Sequence, residues 1–130
     1  VRVVYPQVGA GVGYGMTYRV PRQNIQIATV PIGYADGLSR TLSNKMDVIV
    51  DGARHRQVGN ICMDQFMFAV DVNTTRTYCP SKPIEYGDVV TVIGADGDER
   101  ITADEQARIR DTINYEVVCG FGMRLEKIYV

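Results

Sequence analysis

Short runs of β-branched and aliphatic residues alternate with turn residues roughly every ten positions, the pattern of an antiparallel sandwich or barrel rather than of a helical bundle. The runs predict strands at 25–32 (IQIATVPI), 46–50 (MDVIV), 54–63 (RHRQVGNICM), 66–72 (FMFAVDV) and 88–93 (DVVTVI), with a closing strand at 123–129 (MRLEKIY). Asp51-Gly52 falls between two of them and reads as a tight hairpin, because glycine accepts the positive φ such reversals need. Asp96-Gly97-Asp98 reads as a second hairpin turn, too short and too poor in ligands for a calcium loop. One helix is predicted near 103–112, where Thr102 and Glu105 have capping-box spacing. Ala103, Ala107 and Ile113 would form its inward stripe. Residues 73–87, with Pro80 and Pro83, read as a surface connection. The expected architecture is a mainly β, single Greek-key-like β-barrel domain with one short α-helix.

Composition refines this only slightly. The chain has 130 residues, 45% of them hydrophobic, enough for one domain with its own core. It opens on Val1 inside what reads as a strand, so a segment of a longer protein is expected. The formal charge is −1, from 14 basic and 15 acidic residues without long runs, which speaks against a nucleic-acid partner or an anionic membrane. No apolar stretch approaches the roughly 20 residues that span a bilayer. Cys62, Cys79 and Cys119 fit no zinc spacing and are expected to be free thiols in a reducing, cytoplasmic compartment. With a single histidine, His55, between Arg54 and Arg56, metal binding is not expected.

Four short segments carry candidate chemistry. In residues 13–18, Gly-Tyr-Gly-Met-Thr-Tyr, two glycines flank Tyr14 and would let the backbone turn sharply and aim the phenol; equally, Tyr14 and Tyr18 would serve as strand aromatics. Acting as a base near neutrality requires a phenol to gain roughly 4 kcal/mol of preference for phenolate, supplied by nearby positive charge or donors. Residues 30–37, Val-Pro-Ile-Gly-Tyr-Ala-Asp-Gly, place Tyr34 and Asp36 in a loop followed by Arg40, suited to holding a polar substrate group or to forming a simple Asx turn. Residues 61–65, Ile-Cys-Met-Asp-Gln, stand at a strand end. Residues 112–117, Thr-Ile-Asn-Tyr-Glu-Val, would present Tyr115 at a helix end.

Taken together and in order, these segments resemble the C-terminal domain of pyridoxal-phosphate-dependent alanine racemases, over about Val3 to Tyr129. The resemblance implies an absent N-terminal (β/α)₈ barrel that carries the cofactor on a lysine, and a homodimer with active sites at its interface. It also implies that Tyr14 is the catalytic acid/base on the face opposite that lysine, that Tyr34 and Met63 approach the substrate carboxylate, and that Tyr115 lies near the cofactor phosphate of the other protomer's site. Racemisation fits such a division, since one proton must leave one face of Cα while another arrives on the opposite face. The second group is not expected here, because Lys45, Lys82 and Lys127 all lie outside any segment resembling the family's lysine motif. Asn60 stands where many members carry arginine, and the run after Arg124 lacks the family's Val-Pro-Arg. Two alternatives remain at this point: a serine/alanine racemase of the vancomycin-resistance type, and a non-catalytic β-module used for assembly.

Overall fold

The structure, a computed structural model, describes residues 2–72 and 83–129; the connection expected over 73–87 lies outside them except for 83–87. Nine strands form: β1 Arg2–Val4, β2 Gly11–Val12, β3 Tyr18–Arg19, β4 Ile25–Val30, β5 Asp47–Val50, β6 Ala53–Val58, β7 Phe66–Asp71, β8 Gly94–Asp96 and β9 Glu99–Ile101. Two helices follow, α1 Ala103–Arg110 and α2 Asn114–Cys119. One sheet has five strands in the order β1-β4-β7-β6-β5, every pair antiparallel. Strands β5, β6 and β7 are consecutive neighbours, and β4 lies beside β7, which is a Greek key. The pairings among the described residues leave β1 and β5 at the sheet edges and do not close a barrel.

Alternation along the central strands explains the sheet's layered packing. Ala28 and Val30 of β4 and Phe66, Phe68 and Val70 of β7 face one core, which also holds Leu38, Leu42, Met46, Val48 and Ile61. The intervening Ile25, Ile27 and Met67 face a second, smaller core closed by Val12 and Val20. Both faces of β4 and β7 are therefore covered, so these strands read as nearly continuous apolar runs. The hairpin expected at Asp51-Gly52 is present, with φ of 48° and 70° joining Val50 to its partner Ala53. The one at Gly97-Asp98 joins Asp96 to Glu99.

Several expectations are corrected. The strand expected to reach Met63 ends at Val58, because Gly59 takes φ of 77° and turns the chain away. Pro31 likewise stops β4 at Val30. Segment 88–93 contributes only the bridge between Thr91 and Ile49, after which the Val92 carbonyl accepts from Gln106 Nε2 at 3.0 Å. Residues 123–129 form no strand: Met123, Ile128 and Tyr129 stand exposed, and Gly122 N–H donates to the Asp36 carbonyl at 3.1 Å, carrying the chain across loops rather than along a sheet edge. There are two helices rather than one, and Ile113 caps α2 in solvent instead of joining an inward stripe; Gln106 and Ala107 are the buried pair of α1.

Thr102 Oγ1 accepts from Glu105 N–H at 3.1 Å, half of the expected capping box. The Glu105 carboxylate goes to Arg54 instead, at 2.7 and 3.1 Å. Arg54 also binds Glu99 at 2.9 Å and stands 3.7 Å from Asp47, so one guanidinium ties β6 to β5, β9 and α1. The Arg54 hydrogen bond holds the Glu105 carboxyl below the usual glutamate range, with burial opposing. Because the folded value lies below the unfolded one near ~4.3, the stabilisation is complete above that range and is lost as pH falls through the folded value. Screened by solvent, it amounts to about 1 kcal/mol. Glu105→Gln is therefore expected to lower the thermal unfolding midpoint at neutral pH, and its gap from the parent chain should close as pH falls below the ordinary glutamate range.

Candidate functional site

The register of the sheet decides where the candidate segments meet. Val30 pairs with Phe66 and Val58 with Met67, so the exit of β4, the exit of β6 and the entry of β7 share one end. The connection that follows β4 carries a 3₁₀ turn at Tyr34–Asp36, and the 59–65 connection lies against it. Tyr34 N–H donates to the Cys62 carbonyl and Ala35 N–H to the Met63 carbonyl, each at 3.0 Å. Such contact is possible because residue 33 is glycine: its φ of −143° suits any residue, but a Cβ there would overlap the carbonyl oxygens of Cys62 and Met63. Asp36, 5% exposed, accepts from Gly33 N–H at 2.8 Å, so its carboxylate closes the 3₁₀ turn back onto the turn's N-cap rather than forming the forward Asx turn expected as one of two readings of this loop. Arg124 then spans Asp36 at 3.4 Å and Asp64 at 2.6 Å, pinning the two loops from outside.

The β2–β3 ribbon adds the third loop. Between Val12 and Tyr18, a 3₁₀ turn at Tyr14–Met16 uses positive φ at Gly13, Gly15 and Met16, and it leaves the Tyr14 side chain 77% exposed. Tyr18 is different: it packs on the smaller core, and burial pushes its phenol up, with Arg22 partly opposing. The two tyrosines read alike in sequence are thus one packing residue and one projecting residue.

Tyr14, Tyr34 and Met63 meet around an open recess of about 360 Å³, together with Arg40, Asn60, Ile61 and Cys62. A second, more apolar recess of about 400 Å³ lies on the other side of Tyr14, with Val4, Pro6, Ile27 and Met67 in its wall. Tyr115 does not join them. It lies 75% exposed on α2, in a separate recess of about 470 Å³ with Asp104, Arg108, Thr112 and Asn114. His55 packs its ring 5.9 Å from Phe68 and touches none of these recesses. Among the described residues there is no cluster of His, Cys, Asp and Glu that would hold a metal, and no helix is long and apolar enough to cross a membrane. Cys62 is buried and Cys119 exposed; Cys79 lies outside the described residues.

Sequence reasoning passed over Asn44 and Gln57 and left Arg124 without a partner. Their contacts join residues 13 and 60 positions apart, and no local pattern announces a side chain whose partner lies that far along the chain.

Two phenols and a guanidinium thus line an open recess on loops at one end of an antiparallel Greek-key sheet, the geometry of a β-domain with a polar recess at its loop end. The family model for the alanine racemase C-terminal domain matches residues 1–129, and the chain belongs to that family. The chain is 46% identical over 123 residues to alanine racemase of Cutibacterium acnes, covering 95% of the chain and 30% of that protein. It superposes on alanine racemase from E. faecalis with a TM-score of 0.84 and 39% identity, covering 96% of the chain and 30% of that structure. Alanine racemase from Bartonella henselae, solved with covalently bound pyridoxal phosphate, matches with a TM-score of 0.78 and 30% identity, over 98% of the chain and 32% of that structure. The chain thus spans about a third of the length of these relatives.

Gly33→Ala tests whether close approach holds the loops together. The extra methyl should force the 33–37 turn off residues 62–63 and destabilise the chain by about 1–3 kcal/mol in denaturant unfolding; an unchanged midpoint would show that the two loops are not docked this tightly.

Proposed function

We propose that this chain is the C-terminal domain of a pyridoxal-phosphate-dependent alanine racemase that works as a homodimer, and that Tyr14 is one of its two acid/base groups. The observation that carries the reading is the exposed Tyr14 phenol on a recess shared with Tyr34, Met63 and Arg40. Such a recess can meet one face of an amino acid; the opposite acid/base group and the cofactor-bearing lysine belong to the barrel of the complete enzyme. When bound, pyridoxal phosphate supplies an electron sink for the charge that develops at Cα. The chain's own residues then have simple tasks. Tyr14 Oη takes or returns the Cα proton on its face. Tyr34 and Met63 bound the side of the substrate carboxylate, and Arg40 brings positive charge to the same recess.

The donor set around Tyr115 also fits a cofactor phosphate. The Tyr115 phenol, the Arg108 guanidinium and the Asn114 amide line one recess and can donate to anionic oxygens, while the Thr112 hydroxyl donates to Glu116 and the Asp104 carboxylate stands in the same lining. Because Tyr14 and Tyr115 line different recesses, the reading assigns them to two active sites, so that each β-domain serves both sites of the dimer.

Tyr14→Phe in the full-length enzyme should lower Cα–H exchange of one alanine enantiomer by about 10²–10⁴-fold while leaving the absorbance of the bound cofactor unchanged. Equal loss of exchange for both enantiomers would refute the assignment. The isolated chain should show no racemase turnover at any pyridoxal phosphate concentration, and measurable turnover by it would overturn the division of labour proposed here.

A further inference from the structure

We infer that Asn44 and Asn60 are positioning residues that fix the direction of the Tyr14 phenol; this rests on the reading of Tyr14 as an acid/base group. The 13–17 turn has little to hold it in place by itself. None of Tyr14, Gly15 and Met16 is buried, three positions adopt positive φ, one of them non-glycine Met16, and a single 3.2 Å bond from Met16 N–H to the Gly13 carbonyl spans the turn. A phenol on so loose a base would sample many directions, whereas proton transfer needs a defined one.

Two side chains from the connections before β5 and after β6 supply the constraint. Asn60 Nδ2 donates to the Tyr14 carbonyl at 2.8 Å. Asn44 Nδ2 donates to Thr17 Oγ1 at 3.1 Å, on the far side of the same turn. Neither asparagine is adrift. Asn44 N–H donates to Gln57 Oε1 at 2.6 Å, and Asn44 Oδ1 accepts from Gly59 N–H at 2.7 Å. Gln57, 0% exposed, donates through Nε2 to the Val58 and Gly59 carbonyls at 3.1 and 2.9 Å. The buried amide therefore fixes both Asn44 and the bend at Gly59 from which Asn60 departs. The turn is gripped at its start and at its end by groups anchored in the core, so the rigidity of β6 passes to an otherwise unsupported loop.

The test uses the full-length enzyme and two readouts. By hydrogen–deuterium exchange without substrate, Asn60→Ala and Asn44→Ala should each speed amide exchange of residues 13–18 by about tenfold and leave 25–30 unchanged. In Cα–H exchange, each should slow the enantiomer that Tyr14→Phe impairs by about 10–100-fold, spare the other, and have no further effect in a Tyr14→Phe background. Unchanged protection of 13–18 in both variants would overturn the clamp whatever Tyr14 does. Loss shared by both enantiomers, or persisting in the Tyr14→Phe background, would make the asparagines merely structural and also overturn it. If Tyr14→Phe itself spares both enantiomers, the acid/base reading falls, and the positioning role falls with it even where 13–18 loosens.

Discussion

The meeting of the 33–37 and 59–65 connections depends on two backbone hydrogen bonds, from Tyr34 and Ala35 to the carbonyls of Cys62 and Met63. They exist because Gly33 leaves no side chain between two peptide planes. Backbone-to-backbone docking of this kind places side chains more reproducibly than contacts between long side chains, since no rotamer has to be frozen to make it. Tyr34 and Met63, which come from separate connections, are thereby set side by side by the main chain alone.

The remaining polar groups near the recess follow the same logic. Asp36, Asp64 and Arg124 form an outer fastening, and Gln57 with the two asparagines forms an inner one. Buried polar side chains weaken a core unless every donor and acceptor is met, and Gln57 meets this condition with its own strand's carbonyls and the Asn44 amide.

How much of this was legible in the sequence follows from the range of the interactions. The hairpins at Asp51-Gly52 and Gly97-Asp98, the Thr102 cap and the presence of the four central strands are set by neighbours within a few residues and are found where the residues predict them, although β4 and β6 stop short of their expected ends at Pro31 and Gly59. The four site segments were likewise legible as an ordered set, and three of them do gather at one recess. What failed was what depends on distant partners. Residues 123–129 have strand-like composition, but Arg124 answers to Asp36 and Asp64 rather than to a sheet edge. Glu105 had the spacing of a capping box, yet Arg54 on β6 outcompetes the local amide for its carboxylate. Tyr14 and Tyr18 differ in environment because Tyr14 stands on the connecting turn whereas Tyr18 lies on β3 and packs on the smaller core.

Side-chain amides also do the work of backbone at the wall of the larger core. The side-chain amide of Gln26 meets the backbone of Ile84 twice, donating to its carbonyl at 2.8 Å and accepting from its N–H at 2.7 Å, as a neighbouring strand would. A single glutamine amide thereby takes the place of a strand partner for Ile84, seating a residue 58 positions along the chain against β4 without extending the sheet.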